Sequence, residues 1–171
     1  MRYLAVGAYA AIMLVFGTAF VTKVWRPVQF RRFRDTLAAV PAVPRALATP
    51  LAVLVLTLEG LVVVGVPVPA TRPAAVGLAV ALLTVFAGTI VLLRRRRYDG
   101  ACACFGGLSE TVNYVGAVRN LGLIAIVLGA LAMGTGGAAS LNAIWVVMAI
   151  LVGAVVAIVA IHLEDLAYLL T

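Results

Sequence analysis

The 171-residue chain is 65% hydrophobic and 11% charged, with a mean hydropathy of +1.18 and a formal net charge of +7. A soluble domain carries about 25% charged residues, so this composition excludes a soluble enzyme, a disordered chain and a free nucleic-acid binder. The chain reads as one integral membrane domain over residues 1–171, and its basic excess reads as membrane orientation rather than nucleic-acid binding.

A helix needs about 20 apolar residues to cross the bilayer core. The first such run is Tyr3 to Val21, which is uncharged. Its single preceding Arg, its length and the lack of a small-residue cleavage site argue against a signal peptide. The connection 23–50 follows, with Lys23, Arg26, Arg31, Arg32, Arg34 and Arg45 interleaved with Trp25, Phe30, Phe33 and Leu37. That mixture predicts a basic amphipathic segment at the membrane surface, closed by Pro41, Pro44 and Pro50. The second span runs from about Leu51 to Val68 and is interrupted only by Glu59. Pro67, Pro69 and Pro73 make a turn with Arg72. The third span, Ala74 to Leu93, stops at Arg94-Arg95-Arg96-Arg97.

The fourth span is less regular. Its apolar part, Leu121 to Met133, is too short unless the helix begins near Ser109, a suitable N-cap. That start places Arg119 and Asn120 inside the helix. A Gly-rich turn at 134–137 leads to a fifth span, Leu141 to Leu163. The predicted fold is therefore all-α, a polytopic membrane bundle of about five spans. Gly122, Gly129 and Gly153 suit close helix packing. Tyr98 and Tyr168 read as headgroup-level aromatics. His162, Glu164 and Asp165 read as the interfacial end of the last span.

Basic residues favour the cytoplasmic side. The 23–50 connection holds six of them and the 94–119 region five, against only Arg2 and Arg72 on the other face. Five spans then predict an outside N-terminus, a cytoplasmic C-terminus and a cytoplasmic 94–110 loop.

Both cysteines of the chain fall in that Arg-rich loop, as Cys102-Ala103-Cys104-Phe105-Gly106. One Cys-x-Cys supplies too few ligands for a structural zinc site, but soft thiolates suit Cu(I). The other chemical reading is a redox dithiol. Nearby cations and a following helix start favour the reactive thiolate, which makes Arg97 and its neighbours supporting residues. A disulfide between residues two apart closes a small, strained ring, and strained disulfides are the more oxidising ones. Gly100, Gly106 and Gly107 let the backbone bend as that ring requires.

Glu59 and Arg119 are ionisable groups inside spans, which are functional candidates because burying them is costly. They lie at similar predicted depth, as an ion pair or as the wall of a polar pocket beneath the cysteines. Asn120 is placed to hydrogen-bond between helices.

The string Cys102-Ala103-Cys104-Phe105-Gly106, followed by Arg119-Asn120 in an apolar helix, resembles the methylamine utilisation MauE family of DoxX-like, redox-associated membrane proteins. Lys23 after the first span, the proline-ended loop, and Glu59-Gly60 in the second span fit the same family. Members usually have Gly where Ala103 stands. The resemblance covers most of the chain. It implies a four-helix core plus one span, in a bacterial plasma membrane. It also implies assistance in disulfide formation or maturation of a client protein, with a thioredoxin-like partner. Analogy with other membrane disulfide enzymes adds a quinone as terminal partner. The family's work lies outside the cytoplasm, whereas the charge count places Cys102 and Cys104 inside. The competing reading is a non-enzymatic assembly factor or scaffold, with the pair structural or Cu(I)-binding.

Overall fold

The computed structural model describes residues 2–96, 114–132 and 143–169. Among them are six α-helices and no strand: α1 (Arg2–Trp25), α2 (Pro27–Ala38), α3 (Arg45–Gly65), α4 (Arg72–Arg95), α5 (Tyr114–Ala132) and α6 (Ala143–Leu169). Three stretches, Ala5–Trp25, Arg45–Gly65 and Arg72–Arg95, are long and apolar enough to cross a membrane. Shorter apolar stretches occupy Tyr114–Gly129 and Val147–Val159. The protein is thus an all-α polytopic bundle.

Each helix buries one stripe at intervals of three and four residues, the period of a single helix face. On α1 the stripe is Ala5, Ala8, Ile12, Val15, Ala19 and Lys23. On α4 it is Val76, Ala79, Leu83, Phe86, Ile90 and Leu93. α1 lies against α3 and α6, and α4 lies against α3 and α5. α2 packs on α1 and α3 through Gln29, Phe33 and Thr36, one face of its three turns. Its apolar side therefore meets the bundle, while Arg31 and Asp35 on the other side stay exposed.

Helix α3 begins at Arg45, earlier than the hydropathy predicts, and runs through Pro50. As the sixth residue, Pro50 lacks the amide that would bond the Ala46 carbonyl, a loss that membrane helices tolerate when their surroundings re-satisfy the freed group. The Pro-rich turn after α3 is fixed by Arg72. Its Nε donates to the Val66 carbonyl at 2.9 Å and its Nη2 to that of Pro67 at 3.2 Å. The Thr71 hydroxyl donates to the Gly65 carbonyl at 2.9 Å. These bonds satisfy carbonyls that a helix end leaves without intrahelical partners, and put a cation at the negative end of the α3 dipole. The same guanidinium lies 5.4 Å from the centre of the Tyr9 ring, so this end of the bundle ties α1, α3 and α4 together.

Backbones approach most closely between α1 and α6. A Cβ on Gly7 would lie 2.9 Å from the Ala149 carbonyl oxygen, and one on Gly153 would meet the Gly7 carbonyl more closely still. Of the glycines expected to serve packing, Gly153 does so. Gly122 and Gly129 face open space, because they lie off the α5 stripe that runs through Asn120 and Leu123. Gly7→Ala and Gly153→Ala are expected to destabilise the protein by about 1–3 kcal/mol each through overpacking. Gly88→Ala, with nothing within 4 Å of its new methyl group, is expected to be neutral or slightly stabilising. Thermal unfolding of the detergent-solubilised protein by circular dichroism checks the contrast.

Candidate functional site

The α1 stripe that carries Ile12, Val15 and Ala19 inward continues in register to Lys23. An ammonium is thereby delivered to the core, where an unpaired charge is costly. The α3 stripe of Ala52, Glu59, Val62 and Val66 supplies its counter-charge. Lys23 Nζ donates to Glu59 Oε1 at 2.5 Å, and both side chains are fully buried. At 1.5 Å per residue Glu59 lies roughly 21 Å along α3 from Arg45 and roughly 9 Å from Gly65.

Aromatic rings complete the surroundings of the ammonium. Nζ lies 4.4 Å from the Phe33 ring centre on α2 and 5.7 Å from the Phe86 ring centre on α4. The two rings meet edge to face, with centres 6.3 Å apart and planes at 89°. Each ring offers its negative face to a desolvated cation, an interaction worth up to about 2 kcal/mol. Four helices therefore converge on one side-chain nitrogen.

Further polar groups are buried elsewhere in the bundle. Glu59 Oε2 and Gln29 Oε1 are buried and accept no hydrogen bond among the described residues. Asn120 is fully buried, and neither its Nδ2 nor its Oδ1 has a hydrogen-bond partner among the described residues. It lies one turn from Ala117, which packs with Ile90 and Leu93, and one turn from Leu123, which belongs to the cluster holding Phe86. Asn120 thus lies on the buried stripe of α5, the helix that packs chiefly on α4. Arg119 is also buried. Buried polar atoms of this kind ordinarily hold a water or a ligand group.

The sequence singles out Glu59, Arg119 and Asn120, and all three are buried within the bundle. The pairing differs from the expected one: Glu59 takes Lys23 rather than Arg119. Sequence reasoning assigned Lys23 to the surface connection and missed Phe33 and Phe86 as its company. The missed signal was the three-and-four spacing from Ile12 to Lys23, which puts the lysine on the inward face. Cys102, Cys104, Phe105, Gly106 and Arg97 lie outside the described residues, as do the side chains of His162, Glu164 and Asp165. The flanks of the cysteine segment are described. The Arg94 guanidinium lies 5.8 Å from the Tyr114 ring centre, so the end of α4 and the start of α5 are neighbours. Among the described residues no group of three His, Cys, Asp or Glu is placed to hold a metal ion.

A family model described as methylamine utilisation protein MauE matches residues 1–133, which takes in α1 to α5. No curated protein and no solved structure matches the chain.

Removing one member of a buried pair strands the other charge. Lys23→Met or Glu59→Met alone is expected to cost about 3–5 kcal/mol, and Lys23→Met/Glu59→Met together to recover most of that loss. Unfolding by titrated denaturing detergent, followed by circular dichroism, measures the cycle. Strictly additive losses would show that the two groups contribute independently.

Proposed function

The chain belongs to the MauE family of methylamine-utilisation membrane proteins, and on that premise we propose that it is a thiol–disulfide redox protein of the bacterial plasma membrane. Cys102 and Cys104 are its reactive pair, and it assists disulfide formation or maturation of a client protein together with a thioredoxin-like partner. The observation that carries the reading is that the only two cysteines of the chain stand two residues apart, beside a run of four arginines. A Cys-x-Cys pair has the small ring and oxidising tendency that disulfide exchange uses, and the arginines favour the thiolate form.

The exchange balances without a further reactant. A thiolate of one protein attacks a sulfur of the Cys102–Cys104 disulfide, whose S–S bond breaks as a mixed disulfide forms. The second thiol of the attacking protein then displaces the cysteine and closes its own disulfide. Two electrons pass to the Cys pair, which ends as a dithiol after taking up two protons, while the partner is oxidised. Reoxidation by the disulfide of a thioredoxin-like protein repeats the same steps in reverse order. The bundle's part is to hold the two flanks of the reactive segment together, through Arg94 and Tyr114, above a core locked by Lys23 and Glu59.

Cys102→Ser/Cys104→Ser is expected to leave the protein inserted and folded but to abolish client maturation. Each single variant is expected to trap a mixed disulfide with a partner, seen as a reducible band shift. Labelling intact cells with a membrane-impermeant maleimide polymer, before and after reduction, reports the redox state and the face of the pair. Free thiols under all conditions, with partner complexes intact in the double variant, would instead favour a scaffold or a Cu(I) site.

A further inference from the structure

Basic residues gather at one end of the bundle. The last turn of α4 carries Arg94 and Arg95, and Leu93 and Ile90 beside them pack with Ala39 and Val40 just after α2. The start of α3 lies at the same end, because α2 leads into it. Between the last turn of α2 and the first turns of α3 there is an open cleft of about 470 Å³, lined by Arg34, Asp35, Ala38, Ala39, Arg45, Ala48 and Thr49. That volume falls in the range of ligand sites, about 300–1,000 Å³.

The cleft has an excess of positive charge at headgroup depth. Arg34 Nε and Nη2 donate to Asp35 Oδ1 at 3.0 and 2.7 Å, so one cation is answered by one carboxylate. Arg45 has no ion pair among the described residues, which leaves its charge unanswered. The first turn of α3 contains no acidic residue and its N-cap, Pro44, supplies no side-chain bond. Arg45 is exposed on this turn, so its unpaired guanidinium is open to an anion. The Thr49 hydroxyl adds a donor, and the three alanines add an apolar floor. Arg45 opens a span, so the cleft sits where the phosphates of a bilayer lie. Basic pockets at helix ends of this kind suit anionic lipid headgroups.

We propose that this cleft binds the phosphate of an anionic phospholipid, with Arg45 as its principal charge partner, Arg34 and Thr49 as secondary donors, and the alanine floor against the glycerol and upper acyl chain. The occupant is a lipid rather than a free phosphate because the floor is apolar and Leu47, on the same first turns of a membrane-spanning stretch, is exposed beside it. The site is independent of any chemistry at the cysteines.

The test uses the full chain in mild detergent, with native mass spectrometry and thermal unfolding after addition of phosphatidylglycerol, phosphatidylcholine or inorganic phosphate. Phosphatidylglycerol is expected to remain bound and to raise the melting temperature, and phosphatidylcholine to do neither. Arg45→Gln is expected to lower phosphatidylglycerol retention at least fivefold. Arg31→Gln, an exposed arginine outside the cleft, is expected to change it less than twofold. Equal loss in both variants would show diffuse surface attraction and overturn the site. Unchanged retention in Arg45→Gln would overturn it as well. Equal stabilisation by inorganic phosphate would overturn the lipid as occupant.

Discussion

The single lysine of the chain must go somewhere, and the bundle is arranged around where it goes. Lys23 lies on the inward face of α1 because the helical period puts it there. Once inward, its ammonium needs a partner that water cannot supply. Glu59 gives the charge, and Phe33 and Phe86 give polarisable faces. The four residues come from α1, α3, α2 and α4, so satisfying one nitrogen fixes the relative placement of four helices. Apolar contacts alone specify register weakly between membrane helices, since lipid tails are as apolar as leucine. A charge that can be satisfied at only one place specifies register strongly.

The two ends of the bundle are finished in different ways. At the Arg72 end the guanidinium is used up on backbone carbonyls and the Tyr9 ring, which closes the α3–α4 turn. At the opposite end the arginines of α2, α3 and α4 are largely free of carboxylates, and only Asp35 is paired there among the described residues. One end is therefore internally satisfied, whereas the other presents positive charge outward.

Much of this was legible in the amino-acid sequence, because long apolar runs bounded by charge leave little choice of structure. The spans at 3–21 and 74–93 appear as the cores of α1 and α4, and the span at 51–68 as α3, which starts earlier at Arg45 and ends at Gly65. What failed were judgements that need three dimensions. Lys23 looked like the first residue of a polar loop, since hydropathy averages over faces and does not record which way a side chain points. Glu59 was correctly seen as costly, but its partner was sought at equal depth in the fourth span and found at the end of the first. Phe33 read as part of a surface helix, and no linear pattern says whether such a face meets lipid or protein. Gly153 was picked out by residue type alone, which equally picked out Gly122 and Gly129. Only the neighbouring backbone separates them.

The contact between Arg94 and Tyr114 joins the last turn of α4 to the first turn of α5, so the two helices run antiparallel and pack along their lengths. Their crossing is set by their own side chains, and a longer or shorter connection between them would cost the pair little, because loop-closure entropy grows slowly with length.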